Sequence, residues 1–104
     1  MQDYKISLSP DFTKQLNNIR EYLTYECYNA NAFSKIAKSI DYFLSVCKDF
    51  PEMYPLIESE NATRKNLRKI RIDNFIVIYW VDHVTHTIHI SHIFYGRQNW
   101  KNMM

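Results

Sequence analysis

Five of the eight positions from Arg64 to Arg71 are basic, in the segment RKNLRKIRI, which turns through Asp73-Asn74 into the apolar run FIVIYWV before a third run ends in IFYGRQNW. Lys65, Arg68, Lys69 and Arg71 on one strand, with Arg97 and Lys101 beyond another, are the residues whose type and spacing suit chemistry. Such cations hold phosphate or carboxylate oxygens, and neighbouring rings can stack on bases. A nucleic-acid platform and a dock for an acidic peptide both fit. The rings alone say little, because with 15% aromatic content most must fill the core.

Charge along the chain sharpens this. Residues 1–63 carry six Lys/Arg against nine Asp/Glu, whereas residues 64–104 carry seven against two, so the C-terminal part is the one suited to an anion. Other chemistries lack their residues. The chain has no P-loop, no GxGxxG and no nucleophile elbow, and its carboxylates show no pairing suited to hydrolysis. His83, His86, His89 and His92 recur every third residue, but on a strand a step of three alternates faces, so His89 and His92 are expected to diverge and no metal site is expected. No cofactor is called for. The two cysteines, Cys27 and Cys47, are read as reduced, buried structural thiols, since at opposite ends of a helix pair they stand roughly 25 Å apart.

The elements that must position these residues can be read along the chain. YKISLS alternates Ile6 and Leu8 with Lys5 and Ser7, the period of a half-buried strand. Ser9-Pro10 reads as a helix N-cap with proline at the first helical position, and Phe12, Leu16, Ile19 and Leu23 form one apolar stripe. The stretch Tyr25–Asn29 ends that helix. Asn29 or Asn31 caps a second, with its stripe at Phe33, Ile36, Ala37, Ile40, Leu44 and Cys47, and Phe50-Pro51 stops it. Residues 51–62 read as a loop, followed by strands over Arg64–Ile72, Phe75–Val81 and Thr87–Tyr95, with Gly96, the only glycine, at the end.

The order β-α-α-β-β-β predicts one α+β domain over residues 1–104: an antiparallel helix hairpin packed on one face of a mainly antiparallel four-stranded sheet, with a short C-terminal tail. If Ile70 and Ile72 face the helices, Lys69 and Arg71 project from the opposite, helix-free face, where Phe75, Tyr79 and Tyr95 are expected to join them. Ile88, Ile90 and Phe94 are expected to share a face with His92. No signal peptide or membrane-length apolar run is visible, so the expected compartment is the cytoplasm, with no membrane partner.

Over nearly its whole length the chain resembles the RelE/ParE superfamily, the toxins of type II toxin–antitoxin modules. The resemblance rests on the order and spacing of YKISLSPDFTKQL, the helix hairpin, FPEMYPLI, LRKIRIDNFIVIYWVD and IFYGRQNW. It implies a growth-inhibiting toxin, of the kind tied to plasmid stabilization, neutralised by a cognate antitoxin with an acidic segment. It implies one of two targets: DNA gyrase for ParE-like members, or the ribosome and its mRNA for RelE-like endonucleases. In the nuclease branch Lys69 and Arg71 match cations that stabilise the phosphate, and Arg97 matches an arginine at the scissile region, making these three the catalytic candidates. An arginine expected on the third strand falls at Ile76, however, and the terminal tyrosine or histidine falls near Met103. Losing each group costs on the order of two decades of rate, which together with the long helix hairpin favours the ParE-like branch. A non-toxic basic binding domain is the further alternative.

Overall fold

A computed structural model describes residues 4–57, 66–98 and 100–102. The elements are β1 (Lys5–Leu8), α1 (Pro10–Glu21), a π-helical turn (Tyr22–Glu26), α2 (Ala30–Asp49), β2 (Arg68–Ile72), β3 (Phe75–Asp82), β4 (Thr87–Tyr95) and a 3₁₀ turn (Trp100–Asn102). This is the expected α+β order. Arg64 and Lys65 lie outside the described residues, and within them the second strand starts only at Arg68.

Local chemistry sets the boundaries. Ser9 is extended and its Oγ accepts the Phe12 N–H at 2.9 Å, with Pro10 supplying a pre-set φ behind it. Asn29 caps α2 through Oδ1, which accepts from the Ala32 N–H at 3.1 Å. Tyr28 just before it takes a positive φ of 50°, the tight reversal that turns one helix back on the other. At the β2–β3 turn Asp73 is the residue with positive φ (56°), which closes the hairpin in two residues. Gly96 meets that same turn: its N–H donates to the Asn74 carbonyl at 2.8 Å, and a Cβ there would stand 3.3 Å from that oxygen.

The sheet order is β1-β4-β3-β2, with β1 parallel to β4 and the other pairs antiparallel. Between sheet and helices lies the main core, including Phe12, Ile36, Ile40, Phe43 and Cys47 from the helices and Ile72, Phe75, Val77, Tyr79, Ile88, Ile90 and Ile93 from the strands. Phe12 and Phe43 are each only 1% exposed, and burying a side chain of that size contributes roughly 1.5 to 3 kcal/mol. A second cluster of Ile57, Leu67, Ile78, Phe94 and Trp100, flanked by Ile76 and Trp80, covers the opposite face. Residues 51–57 are not wholly a loop either. Leu56 bridges Arg68, and Ile57 N–H donates to the Leu67 carbonyl at 2.8 Å, extending the sheet beyond β2.

Three expectations about faces and burial are corrected. Phe75 and Tyr79 point into the helix-side core, because Ile72 pairs with Phe75, Ile70 with Val77 and Arg68 with Tyr79. Tyr95 follows Ile93 on that side and packs on Phe75, with ring centroids 4.7 Å apart. Between β3 and β4 the register shifts: Tyr79 opposes Ile90 and Ile78 opposes His92, leaving Ser91 as the extra residue of a bulge. Past it the side chains change faces, so His92 and Phe94 leave the face of Ile88 and Ile90. Cys27 is exposed, in the turn that joins the two helices, whereas Cys47 is buried; both are free thiols.

Candidate target-binding face

The helix-free face of the sheet can be laid out in rows. Lys69 on β2, Ile78 on β3 and His92 on β4 form one row, Arg71, Ile76 and Phe94 the next, and Trp80 with His89 a third. The middle of each row is apolar and the cations lie on one flank.

Lys69 is not free-standing. Its Nζ lies 5.4 Å from the centroid of the Trp100 ring, and the Nζ of Lys101 lies 5.6 Å from the same centroid, so the indole holds two cations at the face's edge. Arg71 is exposed, with Nε donating to the Asp73 carbonyl at 3.1 Å. Arg97 is exposed in the turn after β4, at the same end of the sheet, where Gly96 bonds to Asn74. Arg68 belongs elsewhere. It faces the helix side, where Nη1 donates to the carbonyls of Tyr54 at 2.7 Å and Glu52 at 3.2 Å, and Nη2 reaches the Glu52 carboxylate at 3.4 Å. Its donors are spent on fastening the Pro51–Ile57 strap. Lys65 and Met103 lie outside the described residues.

Sequence reasoning missed what fills the face. His92 stacks on Phe94 (centroids 5.1 Å, 14°) and His89 on Trp80 (4.1 Å, 15°), so the two histidines share the open face but are each committed to a ring. His92 Nδ1 lies 3.2 Å from Ser91 Oγ and Nε2 lies 3.8 Å from an Asp11 carboxylate oxygen. Burial holds its pKa below the usual histidine value near 6.5, against the pull of Asp11, so the ring is neutral at neutral pH. Nothing in the alternation of THTIHISHIFY marks the bulge that turns His92 outward. Among the described residues, no group of three or more His, Cys, Asp or Glu side chains is placed to hold a metal ion.

Chemically this face is a small second core closed by Trp100, with Lys69, Lys101 and Arg71 at its edge and Arg97 exposed in the turn beyond β4. The family model described as "ParE toxin of type II toxin-antitoxin system, parDE" matches residues 6–100. The chain belongs to the ParE toxin family.

Solved structures agree on the ParE-family fold. The chain is similar to one in the toxin–antitoxin complex RelBE2 from Mycobacterium tuberculosis, with a TM-score of 0.62 and 12% identity over 90% of this chain and 99% of that one. A chain of the chromosomal ParDE system from P. aeruginosa matches at 0.63 and 12%, over 88% and 95%. One from the archaeal RelE–RelB complex of Pyrococcus horikoshii OT3 matches at 0.60 and 15%, over 93% and 99%. No curated protein matches the chain by sequence. At these identities the structures establish the ParE-family architecture, and the chemistry must come from this chain's own residues.

Proposed function

We propose that this ParE-family chain is a growth-inhibiting toxin that acts in the cytoplasm by poisoning DNA gyrase and is neutralised by an antitoxin. The observation that carries the target is the filling of the helix-free face. Where RNA hydrolysis needs a phosphate-holding arginine, Ile76 packs beside Ile78, Phe94 and Trp100, and Lys69 is drawn over the Trp100 ring. A face so arranged favours docking over bond cleavage. Lys69, Arg71, Arg97 and Lys101 are the target-contacting cations on this reading, with Lys65 added from the sequence; Arg68 serves the strap instead. An antitoxin partner follows from family membership and from the kind of complexes in which similar chains occur.

Expression without antitoxin is expected to arrest growth and accumulate cleaved gyrase–DNA complexes while mRNA on translating ribosomes stays intact. Arg71→Ala combined with Arg97→Ala is expected to weaken the arrest at least ten-fold. Ribosome-dependent mRNA cleavage by the purified chain sinks the gyrase reading. One observation favours the RelE-like alternative: the bulge brings a neutral histidine, His92, into the row of Lys69. That alternative requires Arg97→Ala to abolish cleavage in a translation assay. Growth indifferent to strong expression points instead to a non-toxic binding domain.

A further inference from the structure

At the end of the sheet opposite Arg71 and Arg97, α2 stops at Asp49 and the chain crosses beside the β3–β4 turn. Tyr4, Phe50, Pro51 and Met53, together with Asp49, Glu52 and His83, line an open pocket of about 850 Å³. The volume lies in the range of sites that take a side chain or small ligand. Phe50 and Met53 are 64% and 63% exposed, so apolar surface is displayed here that no other part of the described chain covers.

One side of this pocket is firmly braced. His83 Nδ1 lies 2.7 Å from Tyr4 Oη and Nε2 lies 2.6 Å from Glu52 Oε1, while Glu52 Oε2 meets Arg68 Nη2 at 3.4 Å. Both oxygens of Glu52 are thereby committed. Asp49 differs: among the described residues its carboxylate makes no hydrogen bond or ion pair, and it stands at the last position of α2. A helix C-terminus favours cations, so a carboxylate there costs stability where it stands. A free negative charge beside Phe50, Pro51 and Met53 suits a long aliphatic stem that ends in a cation, with rings to receive the stem and a carboxylate to take the head.

We propose that this pocket receives an arginine or lysine side chain carried on an apolar segment of the toxin's protein target. An acidic side chain is repelled by Asp49, so a basic one is the occupant this pocket suits. The cation specificity stands on the pocket alone; the assignment to the target rests on the toxin reading above.

Two measurements test this and separate it from that reading. In the first, the intact chain is titrated with the peptides acetyl-Leu-Arg-Leu-amide and acetyl-Leu-Glu-Leu-amide, read by NMR at the Met53 methyl. At least ten-fold tighter binding of the arginine peptide is expected, with the preference lost in Asp49→Lys; equal binding of the two peptides overturns the proposal. In the second, Asp49→Lys and Met53→Glu are expressed without and with antitoxin. Loss of growth arrest with antitoxin binding retained, and a Tm no lower than wild type for Asp49→Lys, supports the target as occupant. Unchanged arrest in both variants, or loss of antitoxin binding instead, overturns it. Absence of gyrase trapping by the wild-type chain removes the gyrase reading but leaves the peptide result to decide the site.

Discussion

His92 stands one residue beyond the Ser91 bulge, stacked on Phe94 and near Asp11, and its environment gives it a measurable signature. Its folded pKa lies below its unfolded value, so as pH falls through about 6.5 the unfolded chain takes up the proton first. The contribution to stability is therefore whole above that pH and declines below it, until the folded ring is protonated too. Urea midpoints measured from pH 7.5 to 5 are expected to fall more for the wild type than for His92→Asn. Parallel profiles for the two proteins contradict the assignment. Cys47 shows the same physics with the opposite sign for an acid: burial pushes its thiol up to about 11, which fits a packing role beside Tyr79 and leaves the exposed Cys27 as the accessible thiol.

At the scale of elements, one short segment joins helix, strand and bulge. Ser9 Oγ accepts from the Phe12 N–H at 2.9 Å and donates to the Ser91 carbonyl at 2.7 Å, so the cap of α1 also ties down the bulge in β4. Ser91 Oγ donates to the Ile78 carbonyl at 3.1 Å, and Gln15 Oε1 accepts the Ile93 N–H at 2.8 Å, a further tie from α1 to the strand just past the bulge. Loss of a serine cap typically costs about 0.5 to 2 kcal/mol. Ser9→Ala, which removes two bonds together, is expected at the upper end, about 2 kcal/mol by chemical denaturation, with the His92 resonance shifted as the bulge relaxes. A loss below about 0.5 kcal/mol contradicts this coupling.

At the scale of the whole molecule, the sheet is covered on both faces by unequal means. Helices cover one face, and the other is covered by Trp100 from the C-terminal 3₁₀ turn together with Leu67 and Ile57. Trp100 is 8% exposed. Its truncation to alanine is expected to cost about 3 to 5 kcal/mol, as for other large buried rings, and to free Lys69 from the indole. A variant as stable as the wild type means the second cluster is no core. The molecule is thus polarised: cations at the Arg71–Arg97 end and along the Trp100 edge, and at the far end an apolar pocket whose Asp49 carboxylate has no partner among the described residues.

The architecture and the basic hairpin were legible in the residues because they depend on short-range rules. Ser9-Pro10, Asn29, Phe50-Pro51 and Asp73-Asn74 mark boundaries by backbone chemistry within a few positions, and the 3.6-residue stripes and near-continuous FIVIYWV run declare helices and a central strand. The fate of each cation was not legible. Arg68 and Lys69 are neighbours in sequence, yet one is spent on the Tyr54 and Glu52 carbonyls and the other lies over Trp100, partners 14 to 31 positions away. Facing was misjudged for Phe75, Tyr79 and Tyr95 because parity within one strand says nothing of the register between strands. It was misjudged for His92 and Phe94 because a one-residue bulge reverses every side chain after it. Local backbone preference therefore determined the elements and their order, while register, the bulge and long-range contacts, which exist only once the sheet is assembled, decided which residues face a partner.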